Sequence, residues 1–296
     1  MYESYYQLSG RPFNCSPNTE CFFAVDYVRD SLSQLVRIVT RSEGVSLVAG
    51  PTGTGKSSVC QLLVEHFQFS HQVIYFQHAV FSSRHAFLES VVLALGISNT
   101  RNSEAQNRAA IQQHLFNLDE HPRSLLLIID DAHQLSAEIL EECRQLTSLV
   151  YSGAARVHLV LAGTLKLEDS LAHPTLASLN QRIVHRCYLS ALSAMETRAM
   201  IGDCITTAGG AITELFTRDA LRKIYEYTEG VPRIIVQLSD RAMLLGMKRD
   251  QATLDSYDIE LAWADLQQLP EPKTQEELAQ PVTPASSSIE FGLLTD

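Results

Sequence analysis

The chain has 296 residues, 45% of them hydrophobic and 19% charged, and a net charge of −11. That length allows one large domain or two small ones with ample core, in the balance of an ordinary soluble globular protein. The acidity argues against strong non-specific nucleic-acid binding, which rests on Lys and Arg neutralising phosphates, and no apolar run approaches the roughly 20 residues that span a bilayer.

Residues 1–28 form an aromatic, turn-rich lead (Tyr5, Tyr6, Phe13, Phe22 and Phe23, with Pro12 and Pro17). Its start lacks the basic and apolar stretches of a signal peptide, and its aromatic content predicts an irregular segment packed on the domain that follows. Asp30 to Arg41 carries Leu32, Leu35, Val36 and Val39 at amphipathic-helix spacing. Strand-like runs then follow at Val45–Ala49, Gln72–Gln77, Ser124–Ile129, Val157–Ala162 and Val184–Leu189. Helical patterns separate them at Ser58–Phe67, Arg84–Leu95, Ser103–Leu118, Ala137–Val150 and Leu165–Leu171. Alternation of this kind predicts an α/β domain over 29–190, a parallel sheet covered by helices on both faces. From Ser193 the strand signals stop. Ala194–Ala208, Thr217–Thr228, Pro232–Met247 and Ser256–Leu266 read as helices, so 191–268 is expected to be a small helical lid. Prolines and serines mark 269–296 as a flexible tail, whose Ile289, Phe291, Leu293 and Leu294 suit either a docking peptide or a frayed end. The six cysteines (Cys15, Cys21, Cys60, Cys143, Cys187 and Cys204) have no C-x-x-C or metal spacing and read as reduced thiols of a cytosolic protein.

The most specific signal is Gly50-Pro51-Thr52-Gly53-Thr54-Gly55-Lys56-Ser57, a full match to G-x-x-x-x-G-K-[ST] between a strand and a helix. Such a loop wraps a polyphosphate with backbone N–H groups at the helix N-terminus, and Ser58 continues that first turn. Lys56 would neutralise the outer phosphates, and the Ser57 hydroxyl would hold Mg²⁺. The apolar run Leu125–Ile129 ends in Asp130 and Asp131. At the carboxyl end of a parallel strand these acids point toward the phosphate loop. Asp130 suits the Mg²⁺ shell, and Asp131 occupies the general-base position; a plain helix N-cap is the alternative for both.

Three further residues carry two readings each. Thr164 ends the fourth strand and suits either sensing the terminal phosphate or capping the next helix. Arg233, in Gly230-Val231-Pro232-Arg233 at the start of a lid helix, suits either the phosphates or the surface. Arg182, just before the last strand, suits either a neighbour's active site in trans or an internal salt bridge.

Loop, Asp130-Asp131, Thr164, Arg182, the Gly-Val-Pro-Arg turn and the helical lid together resemble an AAA+ ATPase. More narrowly, the chain resembles the general secretion pathway ATPase A group through Tyr5-Tyr6-Gln7-Leu8, Arg11-Pro12-Phe13, Pro17-Asn18, Gln181-Arg182-Ile183 and Leu238-Ser239-Asp240-Arg241-Ala242-Met243. The resemblance spans roughly residues 1–268 and implies a sheet in the order 5-1-4-3-2. Members of that group continue into a membrane span and a peptidoglycan-binding region, and the expectation here is the AAA core and lid only. Asp131 stands where glutamate is usual, and His133 where glutamine is frequent.

The expected activity is Mg²⁺-dependent ATP hydrolysis by a homo-oligomeric switch. The resemblance implies a role in assembling a secretion or pilus-like envelope machine, from the cytoplasm or peripheral to the inner membrane through a protein partner. Two alternatives are a DNA-bound transposition-type regulatory ATPase and, because Asp131 is short, a non-hydrolysing nucleotide-gated scaffold.

Overall fold

Five strands of five to seven residues pair in parallel in a computed structural model of the protein. It describes residues 2–14, 23–41, 43–98, 103–117 and 123–269. The strands are β1 (Val45–Ala49), β2 (Gln72–Phe76), β3 (Leu125–Ile129), β6 (Val157–Gly163) and β7 (Ile183–Tyr188), in the spatial order β2-β3-β6-β1-β7. Counting these five alone, this is the 5-1-4-3-2 order implied by the resemblance.

Burial on both faces explains why the central strands β1, β3 and β6 are apolar almost throughout, while the edge strands β2 and β7 carry polar residues. Side chains alternate across each strand, so Val48, Ile128 and Val160 enter one core while Leu47, Leu127 and Leu159 enter the other. The first core lies under α2 (Asp26–Arg41) and α3 (Lys56–Phe67). The second lies under α4 (Arg84–Ala94), α5 (Glu104–Phe116), α6 (Ala137–Leu146) and α7 (Lys166–Leu171).

The C-terminal helices are α9 (Ala194–Thr207), α10 (Ile212–Leu215), α11 (Arg218–Thr228), α12 (Pro232–Lys248) and α13 (Ser256–Leu266). Their apolar residues, including Ile201, Ile224, Leu238 and Ile259, join the first core. Ser193, Thr217 and Asp255 cap three of these helices by accepting backbone N–H bonds. No helix among the described residues is long and apolar enough to cross a membrane.

Two elements differ from the sequence reading. The helix expected over Ala137–Val150 ends at Leu146, because Val150–Tyr151 (β4) and Ala154–Ala155 (β5) form a hairpin. Its turn residues Ser152 and Gly153 both have positive φ, 51° and 81°, as a tight hairpin requires. The lead is not wholly irregular, and it packs on the C-terminal helices as well as joining the core under α2 and α3. Tyr2–Tyr5 forms a helical turn (α1). Tyr2 Oη donates to Asp240 (2.6 Å), Arg11 pairs with the same carboxylate, and Tyr6 Oη donates to the Met243 and Gln251 carbonyls. Phe13 is buried edge-on to Phe216. The calls on Cys15, Pro17, Asn18, Cys21, Phe22, Leu118 and the 270–296 tail lie outside the described residues. Cys60, Cys143, Cys187 and Cys204 are buried and outside any disulfide.

His158 in β6 is 1% exposed, with its ring 5.7 Å from that of His71. Burial, reinforced by His71 and Arg156, pushes its pKa down to about 4. The unfolded chain takes up this proton near the ordinary value of about 6.5 and the folded chain does not. Its stabilisation is therefore complete above that value and is lost as pH falls toward 4. Urea denaturation should show this group destabilising the fold by about 2 kcal/mol at about pH 5 relative to neutral pH, and His158→Leu should remove that component.

Candidate nucleotide site

α3 begins without a side-chain cap. Its N-cap is Gly55 at φ 102°, preceded in the loop by Gly53 at φ 84°. Left-handed backbone of this kind costs glycine little and turns successive N–H groups toward the same side. The first-turn N–H groups of a helix have no intrahelical partner, so this uncapped start offers donors and a positive dipole end to an anion.

Lys56 is 7% exposed and donates from Nζ to the Gly50 carbonyl (3.0 Å) and the Pro51 carbonyl (2.8 Å). Burial holds its pKa below the ordinary lysine value, and Arg233 acts in the same sense; Asp130 and Asp131 oppose both. Ser57 Oγ donates to Asp130 Oδ2 at 2.5 Å, and Tyr75 Oη donates to the same oxygen at 3.4 Å. The Asp131 N–H fixes the other oxygen, Asp130 Oδ1, at 2.9 Å, from a backbone at φ 51°. A hydroxyl and a carboxylate in contact beneath a phosphate-type loop suit Mg²⁺, which takes one or two protein oxygens and completes its shell with phosphate and water.

Lys56, Ser57, Asp130, Asp131 and Arg233 line one pocket of about 420 Å³ together with Thr52, Gly53, Thr54, Gly55 and Ser58 of the loop. At its phosphate-loop end stand Asp131, Thr164, His133 and Gln134. The Thr164 N–H donates to His133 Nδ1 (3.5 Å), and Thr164 Oγ1 is buried without a hydrogen-bond partner. Its backbone N–H therefore meets a side chain, while its hydroxyl is not engaged as a helix cap.

Arg233 enters from α12, whose first residue, Pro232, has no N–H. The Arg233 N–H donates to the Gly53 carbonyl (3.2 Å), which clasps α12 to the loop. A Cβ on Gly53 would lie 2.9 Å from Val231 Cγ1 and 3.2 Å from Arg233 Cβ, so the clasp needs glycine.

Of the predicted site residues, Gly50 and Pro51 lie behind the pocket wall, where their carbonyls accept from Lys56, and Arg182 lies away from the pocket altogether. It precedes β7, and its carbonyl accepts the Val45 N–H, so it lies level with the start of β1. The loop follows the end of β1, about 16 Å farther along at roughly 3.3 Å per residue. Arg182 borders a separate cleft of about 180 Å³ and donates to Thr147 Oγ1 (3.3 Å).

The sequence reading missed Tyr75, Gln77 and His78 at the end of β2, although the rule that located Asp130 also applies there. It noted His133 only as a departure. It also missed the opposite wall of the pocket, which Pro12, Asn14 and Phe23 of the lead share with Met200, Cys204 and Val236. No spacing rule brings residue 14 beside residue 204.

With this geometry in place, the comparisons define the class first. Residues 39–171 match the AAA domain family (AAA_22). Sheet order, loop and helical region are those of an AAA+ P-loop fold. The chain is similar to general secretion pathway protein A of Aeromonas hydrophila, 28% identical over 264 residues, which cover 88% of this chain and 48% of that protein. The chain thus spans about half the length of this curated relative.

Among solved structures it resembles Cdc6p of Pyrobaculum aerophilum, with TM-score 0.66 and 18% identity, covering 87% of this chain and 71% of that one. It also resembles the Aeropyrum pernix ORC1 protein in complex with DNA (TM-score 0.62, 15% identity, 83% and 67% covered). A third similar structure is the Thermotoga maritima RuvB Holliday junction branch migration motor (TM-score 0.57, 16% identity, 84% and 73% covered). At these identities the likeness is one of fold.

A Cβ on Gly50 would run into the Leu189 carbonyl, a backbone atom that cannot rotate away. Gly50→Ala should therefore destabilise the fold by roughly 1–3 kcal/mol in chemical denaturation. It should also weaken nucleotide binding by displacing the loop, as read by calorimetric titration.

Proposed function

We propose that the pocket binds ATP with Mg²⁺, and that the chain hydrolyses ATP as a homo-oligomeric switch supporting assembly of a secretion or pilus-like envelope machine. The observation that carries the reading is the Ser57–Asp130 contact directly below an uncapped loop-to-helix turn that ends in a buried lysine. Loop N–H groups and Lys56 hold the phosphates, Ser57 and Asp130 supply the metal's protein oxygens, and Asp131 takes the proton from the attacking water. Mg²⁺ held there would neutralise phosphate charge during the transfer. Arg233, tied through its N–H to Gly53, reports phosphate occupancy to α12. Thr164, with a free hydroxyl at the strand end, reads the terminal phosphate.

Arg182 is assigned to a neighbour's pocket, since it lies at the opposite edge of the sheet from its own. The envelope role rests on the similarity to general secretion pathway protein A. The same reading has the protein act at the cytoplasmic side of the inner membrane through a protein partner.

Steady-state ATP hydrolysis by the purified protein tests the reading. Lys56→Ala should lower turnover by on the order of a hundredfold or more, and DNA should leave the wild-type rate unchanged. Strong stimulation by DNA would instead favour a nucleic-acid-bound regulator. Arg182→Ala should keep ATP binding and lose turnover, and mixing it with Lys56→Ala protein should partly restore activity; a mixture without recovery rejects the shared site. Asp131→Glu should raise turnover, because the longer side chain reaches the attacking water more directly.

A further inference from the structure

One polar group that the proposed chemistry does not use reaches the phosphate end of the pocket from β2. His78 Nδ1 lies 3.8 Å from Asp131 Oδ2, and both side chains line the pocket with Lys56 and Ser57. The main chain around His78 is anchored. Ala79 is buried, the Val80 N–H donates to the His78 carbonyl (2.9 Å), and Phe81 packs edge-on to Phe76 and Phe87. The anchored main chain thus places the imidazole at the pocket mouth, with its ring accessible. Asp131 is equally constrained, because its N–H is committed to Asp130 Oδ1 and its backbone is left-handed. It therefore cannot advance to make up the methylene it lacks relative to glutamate. A gap of 3.8 Å is too long for a direct hydrogen bond and suits two groups that share a water.

We propose that His78 and Asp131 hold the attacking water between them, so that His78 supplies the orientation the shorter acid cannot provide alone. This rests on the ATPase reading above. In the step, the water oxygen bonds to the γ-phosphorus as the bond from that phosphorus to the β–γ bridging oxygen breaks. One water proton passes to the Asp131 carboxylate and then to the released phosphate, while the other stays hydrogen-bonded to the His78 ring nitrogen. ADP leaves with the bond's electron pair.

The test is a double-mutant cycle in kcat, with ATP affinity measured by calorimetry in Mg²⁺. His78→Ala should lower kcat by on the order of ten- to a hundredfold without changing ATP affinity. In the Asp131→Glu background the same change should cost less than about threefold, since the longer acid positions the water itself. His78→Gln should recover part of the His78→Ala loss, because an amide can make the same hydrogen bond. Equal losses in both backgrounds, or a loss that tracks weakened ATP binding, would overturn the assignment. Normal turnover unaffected by His78→Ala removes His78 alone. If wild type and Asp131→Glu both bind ATP without turning it over, the hydrolytic reading falls and this proposal falls with it.

Discussion

The candidate site depends on three glycines that let the chain approach closely, two against backbone and one against side chains. A Cβ on Gly50 would collide with the Leu189 carbonyl, one on Gly53 would press on Val231 and Arg233, and one on Gly230 would collide with the Leu192 carbonyl. The segment from Leu189 to Leu192 therefore runs between the start of the phosphate loop and the turn that opens α12. The Leu189 N–H donates to the Ala49 carbonyl and the Leu192 N–H to the Gly230 carbonyl, both at 2.8 Å. A packed interior transmits small displacements because it has few voids to absorb them. Any shift of the loop is consequently felt one contact away at α12.

Charge follows the same geometry. An acidic chain presents two cations, Lys56 and Arg233, and two carboxylates, Asp130 and Asp131, to a single pocket. Burial disfavours the Lys56 charge, the two carboxylates favour it, and the carbonyls of Gly50 and Pro51 accept its protons. Asp130 is 3% exposed and receives donors on both oxygens, so its orientation is set before any ligand arrives. Opposite these groups, the wall built from the lead and the C-terminal helices behaves as one packed body. Asp240 takes both Tyr2 and Arg11, and Phe13 closes on Phe216. The core under α2 and α3 continues into the same helices, which makes the pocket a seam between elements that share apolar burial.

Much of this was legible along the chain because it depends on local periodicity. β1 was read residue for residue, and Asp130 was found because a continuous apolar run must end at the ligand-binding edge of a parallel sheet. Tyr75 and His78 were not found, since their roles depend on β2 pairing beside β3, a contact between residues more than forty positions apart. The partners of the lead were out of reach for the same reason. Its aromatic residues signal burial but carry no address, and their hydroxyls find acceptors more than two hundred residues away. The helical pattern was carried from Ala137 to Val150, whereas the helix ends at Leu146 and positive φ angles at Ser152 and Gly153 turn the chain into a hairpin.

The sequence by itself determined the strand and helix alternation, the phosphate-type loop and the acids at the end of β3. These follow from hydrophobic period, glycine placement and the direction of a parallel strand, all of which act over a few residues. Tertiary structure alone decided which side chains face one another across the pocket. It placed Arg182 away from its own site, fastened Arg233 to Gly53, brought His78 to Asp131 and laid the lead against the C-terminal helices. Each of these is a meeting of surfaces carried by separate elements, and such meetings are set by packing of the whole core.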